Sequence, residues 1–272
     1  MSLTIEILRT YKLNSLKLRG RLFSKAILLI FLLMSSMTSY AERDTSRDQF
    51  RHPTETLSFF GITPEMTVVE ISPGGGWYTE VLAEHLTGTL FAAHYDPNAD
   101  LAYYRNSQSR FAAKIAKNPV LYGNVEMRIF DATNQTLNTA DNSADAVVTF
   151  RNVHNWLGTN SEAASFALFF KTLKPGGTLG VVEHRAPART DRKTMEESGY
   201  MTQDFVIELG RRAGFIFEQS SEINANSKDT ADHLEGVWTL PPGLALGEQD
   251  REIYLAIGES DRMTLRFRKP KE

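Results

Sequence analysis

The sequence of 272 residues contains no cysteine. It therefore has no disulfide bond, no thiolate-ligated zinc site and no cysteine nucleophile. The absence suits an oxidising compartment, where a free thiol is a liability. Internal repeats and low-complexity tracts are also missing, so the chain is not a repeat protein.

A hydrophobic run lies near the amino terminus. Basic residues precede the apolar residues 26–34, and Ser39-Tyr40-Ala41 forms a small-x-small pattern before charged residues begin. The run is shorter than the ~20 residues that a membrane-spanning helix needs. This layout predicts a secretory signal peptide over residues 1–41, which is cleaved during export to the periplasm. The alternative is an uncleaved leader that anchors the protein to the inner membrane.

Positive charge is scarce in the remaining residues, 42–272. The chain has 30 Lys/Arg and 33 Asp/Glu, of which six and one lie in residues 1–41. The body therefore keeps 24 basic and 32 acidic residues, a net charge of −8. This balance disfavours nucleic acid and anionic membrane surfaces as partners. It leaves the oligomeric state open.

Apolar runs alternate with helical patterns along residues 42–272. Strands are predicted at residues 66–71, 90–94, 125–130, 144–150, 178–183, 215–222 and 263–269. Helices separate the first five strands, and the last strand alternates apolar and polar side chains, as an antiparallel addition does. The prediction is one α/β domain with a doubly wound, Rossmann-like, seven-stranded sheet, mostly parallel with one antiparallel strand near the C-terminus.

The segment around the first predicted strand carries the strongest functional signal. An apolar run, Glu70 and the glycines 74–76 describe a strand that leads through a glycine loop into a helix. Glycine lets the backbone approach a ligand closely, and the helix directs free N–H groups at that ligand. Because the Glu70 carboxylate would repel a pyrophosphate, a nicotinamide-dependent oxidoreductase is disfavoured. The carboxylate could instead pair with an ammonium group.

This loop resembles motif I of class I S-adenosylmethionine-dependent methyltransferases, an acid-x-Gly-x-Gly-x-Gly pattern in which Ser72 replaces the first glycine. Residues 73–80, 150–156, 236–242 and 258–262 are similar to a group of exported bacterial predicted methyltransferases. The resemblance covers nearly all of residues 42–272 and implies S-adenosylmethionine as the cofactor. The cofactor-binding residues that we expect are Glu70, Ser72, Gly74, Gly76, Asp96, Asp131, Ala132, Arg151 and Asn152.

Two of these acids match the resembled family after the second and third strands. Asp96 is expected to bind the ribose hydroxyls, two residues later than gap-free matching would place that acid. Capping of the next helix is the alternative for Asp96. Asp131 matches the acid that contacts adenine in the family.

Three further polar residues follow the fourth and fifth strands. Ligands of doubly wound sheets lie beyond the carboxyl ends of the strands, so His154, Glu183 and His184 are expected near the acceptor. His154 could act as a general base, and His184 beside Glu183 could share or replace that role. A purely structural hydrogen-bonding role is the alternative for each histidine. These side chains could also supply metal ligands, but no tight ligand spacing is present and no metal is expected.

The sequence thus predicts an S-adenosylmethionine-dependent methyltransferase that acts on a small molecule or another non-nucleic-acid acceptor. The alternative is an exported, non-catalytic ligand-binding protein on the same fold, since Ser72 departs from the motif and the cofactor is made in the cytoplasm. Residues 223–260 form a long connection, which predicts a lid over the acceptor site together with the helix after Asp96.

Overall fold

The computed structural model describes residues 43–271. The chain divides into two units, residues 1–44 and 45–272, and every element below lies in the second unit. The predicted leader falls outside the described residues, so its cleavage and the anchored alternative stay predictions. Within residues 43–271, no helix combines the length and the apolar character that crossing a membrane requires.

Helices and strands alternate through the described part of the chain. Its α-helices are α1 (Asp48–Arg51), α2 (Pro53–Phe60), α3 (Trp77–His85), α4 (Ala102–Lys117), α5 (Val153–Leu157), α6 (Glu162–Thr172), α7 (Arg192–Ser198), α8 (Gln203–Arg212) and α9 (Arg251–Ile257). Its strands are β1 (Val68–Ile71), β2 (Leu90–His94), β3 (Val125–Asp131), β4 (Thr136–Leu137), β5 (Ala144–Phe150), β6 (Leu173–His184), β7 (Ile216–Ser221) and β8 (Arg262–Arg268). A 3₁₀ turn covers Gly236–Thr239.

The strands form one sheet in the order β4-β3-β2-β1-β5-β6-β8-β7. The pairs from β3 through β6 are parallel, and β8 runs antiparallel to both β6 and β7. The chain moves outward from β1 to β3 and then returns to β5, so the strand order reverses beside β1. Ligands of such sheets bind at this switch point. The predicted doubly wound, mostly parallel sheet with an antiparallel strand near the C-terminus is confirmed.

The structure differs from the predicted sheet in two places. It has eight strands instead of seven, because the short β4 pairs antiparallel with the end of β3. Two residues are too few for a periodic pattern to reveal a strand. In addition, β6 already begins at Leu173, whereas the predicted strand begins at residue 178. The pairing of β6 with β5 is irregular there, and Gly176 has a φ of +79°.

The two faces of the sheet belong to separate apolar clusters. Val69 and Ile71 of β1 pack in a cluster with α6 and α8, whereas Val68 packs in another with α2 and α3. Successive side chains of a strand point to opposite faces, which explains this division. Helix α4 contributes only Phe111 to the buried residues. Leu101 continues the apolar spacing of this helix, but it precedes the helix and is 58% exposed.

Candidate functional site

The glycine loop joins β1 to α3. Gly74 and Gly76 have φ values of +59° and +75°, in the left-handed region that glycine adopts without strain. A Cβ at Gly76 would come within 2.9 Å of the Phe111 ring, so this position also needs glycine for space. Ser72 has a φ of +52°, and its N–H donates to the Ala93 carbonyl at 2.9 Å. The serine therefore follows the left-handed backbone path that its glycine counterpart would take.

His94 supports this loop from the end of β2. The imidazole Nδ1 accepts the N–H of Tyr95 at 2.7 Å, so Nε2 carries the proton and donates to the Gly74 carbonyl at 3.2 Å. Burial lowers the pKa of His94, which favours this neutral form. Gap-free matching to the resembled family puts His94 at the position of the ribose-binding acid. Sequence reasoning did not predict its contact with the glycine loop.

Glu70 lies behind the loop and not on its open side. The side chain is 1% exposed, and its Oε2 accepts the Thr79 hydroxyl at 2.6 Å. Burial raises the pKa of Glu70 to about 7, partly offset by the Thr79 hydrogen bond and by the positive charge of Lys114. The Glu70 carboxylate, which the sequence left available to an ammonium group, is therefore buried and bonded to Thr79. A role for Glu70 in cofactor binding stays a prediction.

A cleft of about 600 Å³ opens beyond the ends of β1, β2, β3 and β5. Five of the predicted cofactor residues line it together: Ser72, Asp96, Asp131, Ala132 and Asn152. Aromatic side chains form its walls: Tyr95, Tyr104, Phe130 and Trp156. Glu70, Gly74, Gly76 and Arg151 are not among the residues that line this cleft.

Local hydrogen bonds hold the polar groups of the cleft. Asp96 accepts the N–H of Asn98 at 2.7 Å, whereas α4 begins only at Ala102. The helix-capping alternative for Asp96 is therefore wrong. The two carboxylate oxygens of Asp131 accept the backbone and side-chain N–H groups of Asn134 at 3.0 and 2.8 Å.

Asn152 ties the end of β5 to the end of β1. Its side-chain amide donates to the Ile71 carbonyl at 3.1 Å and to the Thr149 hydroxyl at 3.0 Å. The residue is 8% exposed, so these bonds fix the amide where it meets the cleft. Sequence spacing could not show this link, because the two strands are separated by β2, β3 and β4.

His154, Glu183 and His184 meet at the adjacent ends of β5 and β6. Nδ1 of His154 lies 3.1 Å from Glu183 Oε1, and the same oxygen accepts the N–H of His184 at 2.8 Å. The other oxygen, Oε2, accepts the N–H of Val153 at 2.5 Å. The Glu183 side chain is fully buried, so its carboxylate is held rigidly. The predicted grouping of these three residues is present.

His184 differs from His154 in its surroundings. Its Nδ1 lies 2.5 Å from the Ser260 hydroxyl. Burial, with the neighbouring His154 and Arg151, lowers the pKa of His184 well below its usual value. His184 is therefore neutral at pH 7 and a weak base, which makes His154 the better candidate for proton transfer.

The same cluster has the residue types of a metal site. One ligand atom from each of His154, Glu183 and His184 lies within 4.8 Å of the others. However, Glu183 already uses both oxygens for N–H donors, and nearby arginine side chains oppose a cation. We interpret the cluster as a hydrogen-bonded base assembly.

Comparisons with known proteins agree with this site. Residues 69–181, which contain the glycine loop and most of the cleft, match the family model described as a methyltransferase domain. The match agrees with the methyltransferase that the sequence predicts. Comparison with curated proteins gives no match.

Solved structures share the fold of this chain at low sequence identity. The cyclase SpnF is 20% identical over 85% of both chains, with a TM-score of 0.58. Geranyl diphosphate methyltransferase, solved in complex with S-adenosylmethionine, is 12% identical over 82% of this chain and 86% of that chain, with a TM-score of 0.55. The N-methyltransferase NodS from Bradyrhizobium japonicum is 14% identical over 84% and 99%, with a TM-score of 0.53. These similarities show the fold, and the differing activities show that the fold alone does not set the substrate.

The cleft has the chemistry that S-adenosylmethionine requires. Asp96 and Asp131 can accept hydrogen bonds from hydroxyl and amino groups. Phe130 and Trp156, whose ring centroids are 5.6 Å apart, offer apolar surface for a purine. A Cβ at Gly74 would meet nothing within 4 Å, so there is open space beside the loop. The residues present fit the cofactor.

Proposed function

We propose that this protein transfers a methyl group from S-adenosylmethionine to a small-molecule acceptor after export to the periplasm. The contact between His154 and Glu183 is the observation that carries the proposal, because it orients a candidate base on α5, the helix whose residues Asn155 and Trp156 line the cleft. The methyltransferase domain match supports the reaction class. The net charge of −8 over residues 42–272 supports an acceptor other than nucleic acid.

Glu183 selects the tautomer of His154. When Nδ1–H donates to Oε1 at 3.1 Å, Nε2 keeps the lone pair that a general base needs. The carboxylate also stabilises the imidazolium that forms after proton uptake. The arrangement supports an acceptor whose hydroxyl or acid group loses a proton as the methyl group is transferred.

The cleft residues would hold the cofactor around this base. When bound, S-adenosylmethionine supplies a methyl group on a positively charged sulfur atom. Ser72, Asp96, Asp131 and Asn152 would hold it, and the aromatic walls would exclude water. His154 belongs to α5, and Asn155 and Trp156 of the same helix line the cleft.

Trp238 supports the placement of the acceptor near His154. The two rings are 6.1 Å apart at an interplanar angle of 75°, and Trp238 is 42% exposed. Its neighbours Val237 and Leu240 are buried and anchor it. This tryptophan belongs to residues 223–260, the predicted lid, and offers an apolar wall for an acceptor. Limited proteolysis with and without cofactor would test the lid, and identical cleavage patterns would count against it.

The non-catalytic alternative is less well supported. A protein that only binds a ligand needs no base held by a buried carboxylate. Ser72, which favoured this alternative in the sequence, keeps a glycine-like φ of +52° and therefore does not obstruct the loop.

Calorimetric titration of the purified protein tests the proposed function. We expect saturable binding of S-adenosylmethionine and S-adenosylhomocysteine, and no binding of NAD. A screen for transfer of a labelled methyl group into small molecules then identifies the acceptor. Binding of the cofactor with no transfer to any acceptor class would support the non-catalytic alternative, and binding of neither would reject the proposal.

Cell fractionation tests the proposed location. We expect the processed protein in the periplasm with residue 42 as its first residue. An intact amino terminus in the inner membrane would support the anchored alternative, and an intact chain in the cytoplasm would contradict both.

A further inference from the structure

Four arginine side chains gather around one carboxylate near the cleft. The Glu259 carboxylate forms three ion pairs. Its Oε1 lies 2.6 Å from Arg47 Nε, and its Oε2 lies 3.1 Å from both Arg51 Nε and Arg262 Nη1. Arg151 lies close enough to interact with Glu259 and with Arg262. The cluster joins α1, the end of β5 and the start of β8. Its four positive charges and one negative charge leave an excess of three.

Much of this positive charge is buried. Arg51 is 0% exposed and Arg262 is 2% exposed, and Glu259 is 4% exposed. Burial and the neighbouring arginines lower the pKa of Arg51 to about 9 and that of Arg151 to about 10. Uncompensated charge in a protein interior costs several kcal/mol per ion. An anion in the cluster would offset that cost.

Guanidinium donors in the cluster also lack partners. Among the described residues, Arg51 Nη1 and Nη2, Arg47 Nη2 and Arg151 Nε are buried and make no hydrogen bond. Buried polar groups of native proteins are nearly always hydrogen-bonded, so four such donors in one cluster call for an explanation. They are the donors that a carboxylate or phosphate group accepts from arginine.

The cluster is close to His184, which lies beside the candidate base, and its Arg151 is next in the chain to a cleft residue. Arg151 precedes Asn152, which lines the cleft, and lies three residues before His154. The guanidinium carbon of Arg51 is 4.5 Å from the ring centroid of Trp77, the first residue after the glycine loop. Arg262 and Glu259 also line a second cavity of about 410 Å³, so the cluster borders open space.

The sheet order separates the arginines from the acids of the cleft. Asp96 and Asp131 follow β2 and β3, on one side of β1, whereas Arg151 follows β5 on the other. Arg151 itself has a φ of +62°, and its N–H donates to the Val182 carbonyl at 2.7 Å, which holds its backbone beside β6. The arginines are therefore on the His154 side of the switch point.

We propose that Arg51 and Arg151 bind an anionic group, a carboxylate or a phosphate, of the methyl acceptor. This assignment rests on the proposed function for the identity of the bound molecule, but the anion site itself does not. The acceptor would lie with its anionic group on the arginines and its reacting group at His154. An anionic acceptor also agrees with the electropositive surroundings of His184.

Titration with inorganic phosphate at constant ionic strength tests the site in the full chain. We expect saturable binding and a rise in the melting temperature for the wild type. Arg51→Lys keeps the charge and loses the guanidinium donors, and Arg151→Gln loses both. Each should weaken phosphate binding at least tenfold, as loss of a charge-assisted hydrogen bond does. Each variant is compared with its own phosphate-free melting temperature, so a change in stability does not hide the result.

Arg211→Gln is the matched control, because Arg211 is an exposed arginine in the last turn of α8. It should bind phosphate like the wild type. Equal phosphate binding by the wild type, Arg51→Lys and Arg151→Gln would overturn the proposal, as would the absence of saturable binding in the wild type.

A second comparison separates the acceptor from the cofactor as the source of the anion. S-adenosylhomocysteine carries a carboxylate, and 5′-methylthioadenosine does not. We expect both nucleosides to bind together with phosphate and to bind Arg51→Lys with unchanged affinity. In the contrary outcome, phosphate competes with S-adenosylhomocysteine but not with 5′-methylthioadenosine, and S-adenosylhomocysteine binds Arg51→Lys tenfold more weakly. Those results would assign the site to the cofactor carboxylate and overturn the acceptor assignment. Phosphate binding without any nucleoside binding would reject the proposed function and leave the anion site standing.

Discussion

Glu70 and Thr79 form a buried hydrogen bond that joins β1 to the helix after the glycine loop. The Thr79 hydroxyl donates to Glu70 Oε2 at 2.6 Å, and both residues are at most 1% exposed. Burial raises the pKa of Glu70 to about 7. The carboxyl group beneath the loop therefore changes its charge near neutral pH.

The free energy of unfolding should depend on pH because Glu70 titrates at a different pH in the folded state. The pKa rises from 4.5 to about 7 on folding, so the folded state binds the proton more tightly. Stability from Glu70 is complete below pH 4.5 and is lost as the pH rises through 7. We expect the stability of the wild type relative to Glu70→Gln to fall by roughly 1–3 kcal/mol between pH 4.5 and 8. Urea unfolding across this range measures it, and parallel pH profiles for the two proteins would contradict the assignment.

The affinity for S-adenosylhomocysteine should depend on the ionisation of Glu70. An ammonium group near the loop favours ionised Glu70, which exists above pH 7. We therefore expect Glu70→Gln to weaken binding more at pH 8 than at pH 6. Calorimetry at both values measures the difference, and an equal affinity of wild type and variant at pH 8 would remove Glu70 from the cofactor site.

Alanine substitutions at the three loop glycines should separate the cost of a positive φ from the cost of a steric clash. Gly75 has neither a positive φ nor a contact for an added Cβ, so Gly75→Ala should change stability by no more than about 0.5 kcal/mol. Gly74→Ala places alanine at a φ of +59° without a clash and should cost about 1 kcal/mol. Gly76→Ala adds the 2.9 Å contact with Phe111 and should cost the most, about 2–4 kcal/mol. Thermal unfolding ranks the three, and a different order would contradict the loop geometry.

Ser72 should accept glycine and reject a β-branched residue. Its φ of +52° is rare for side chains other than those of glycine, asparagine and aspartate. We expect Ser72→Gly to keep stability and cofactor affinity, and Ser72→Val to cost about 1–3 kcal/mol. The melting temperatures compare them. A large loss of affinity in Ser72→Gly would instead show that the hydroxyl binds the cofactor.

Replacement of His154 should affect turnover and not cofactor binding. If His154 is the general base, His154→Ala should lower kcat by about 10²–10⁴-fold with unchanged affinity for S-adenosylhomocysteine. Glu183→Gln should lower kcat as well, because it removes the charge that stabilises the imidazolium. His85→Asn, on α3 and outside the site, is the control. Full activity of His154→Ala would show that alignment of the acceptor suffices.

Much of the fold could be predicted because its strands are bounded apolar runs. The predicted bounds of β2 and β5 agree with the structure, since apolar residues begin and end sharply there. The pattern was misleading at Leu101, which continues the apolar spacing of α4 but lies before its first turn. The pattern did not predict β4, because its two residues form a strand only by pairing with β3.

Part of the site also followed from the strand ends. Asp96, Asp131 and Asn152 come directly after predicted strands, and the parallel sheet brings those ends to one edge. The same reasoning left the Glu70 carboxylate available to an ammonium group, whereas the structure has it buried against Thr79. The direction of a side chain at a strand end depends on the pleat and on the helix packed over it, which a linear pattern does not record.

By itself, the sequence determined the order of helices and strands, the glycine loop and the residue types at the strand ends, because these depend on local periodicity and backbone freedom. Only the tertiary structure decided that Ser260 meets His184, 76 residues away, and that Glu259 meets Arg51, 208 residues away. Such contacts form when separate elements dock to bury apolar surface, so their geometry depends on packing across the whole domain. The arginine cluster and the held base are products of that packing.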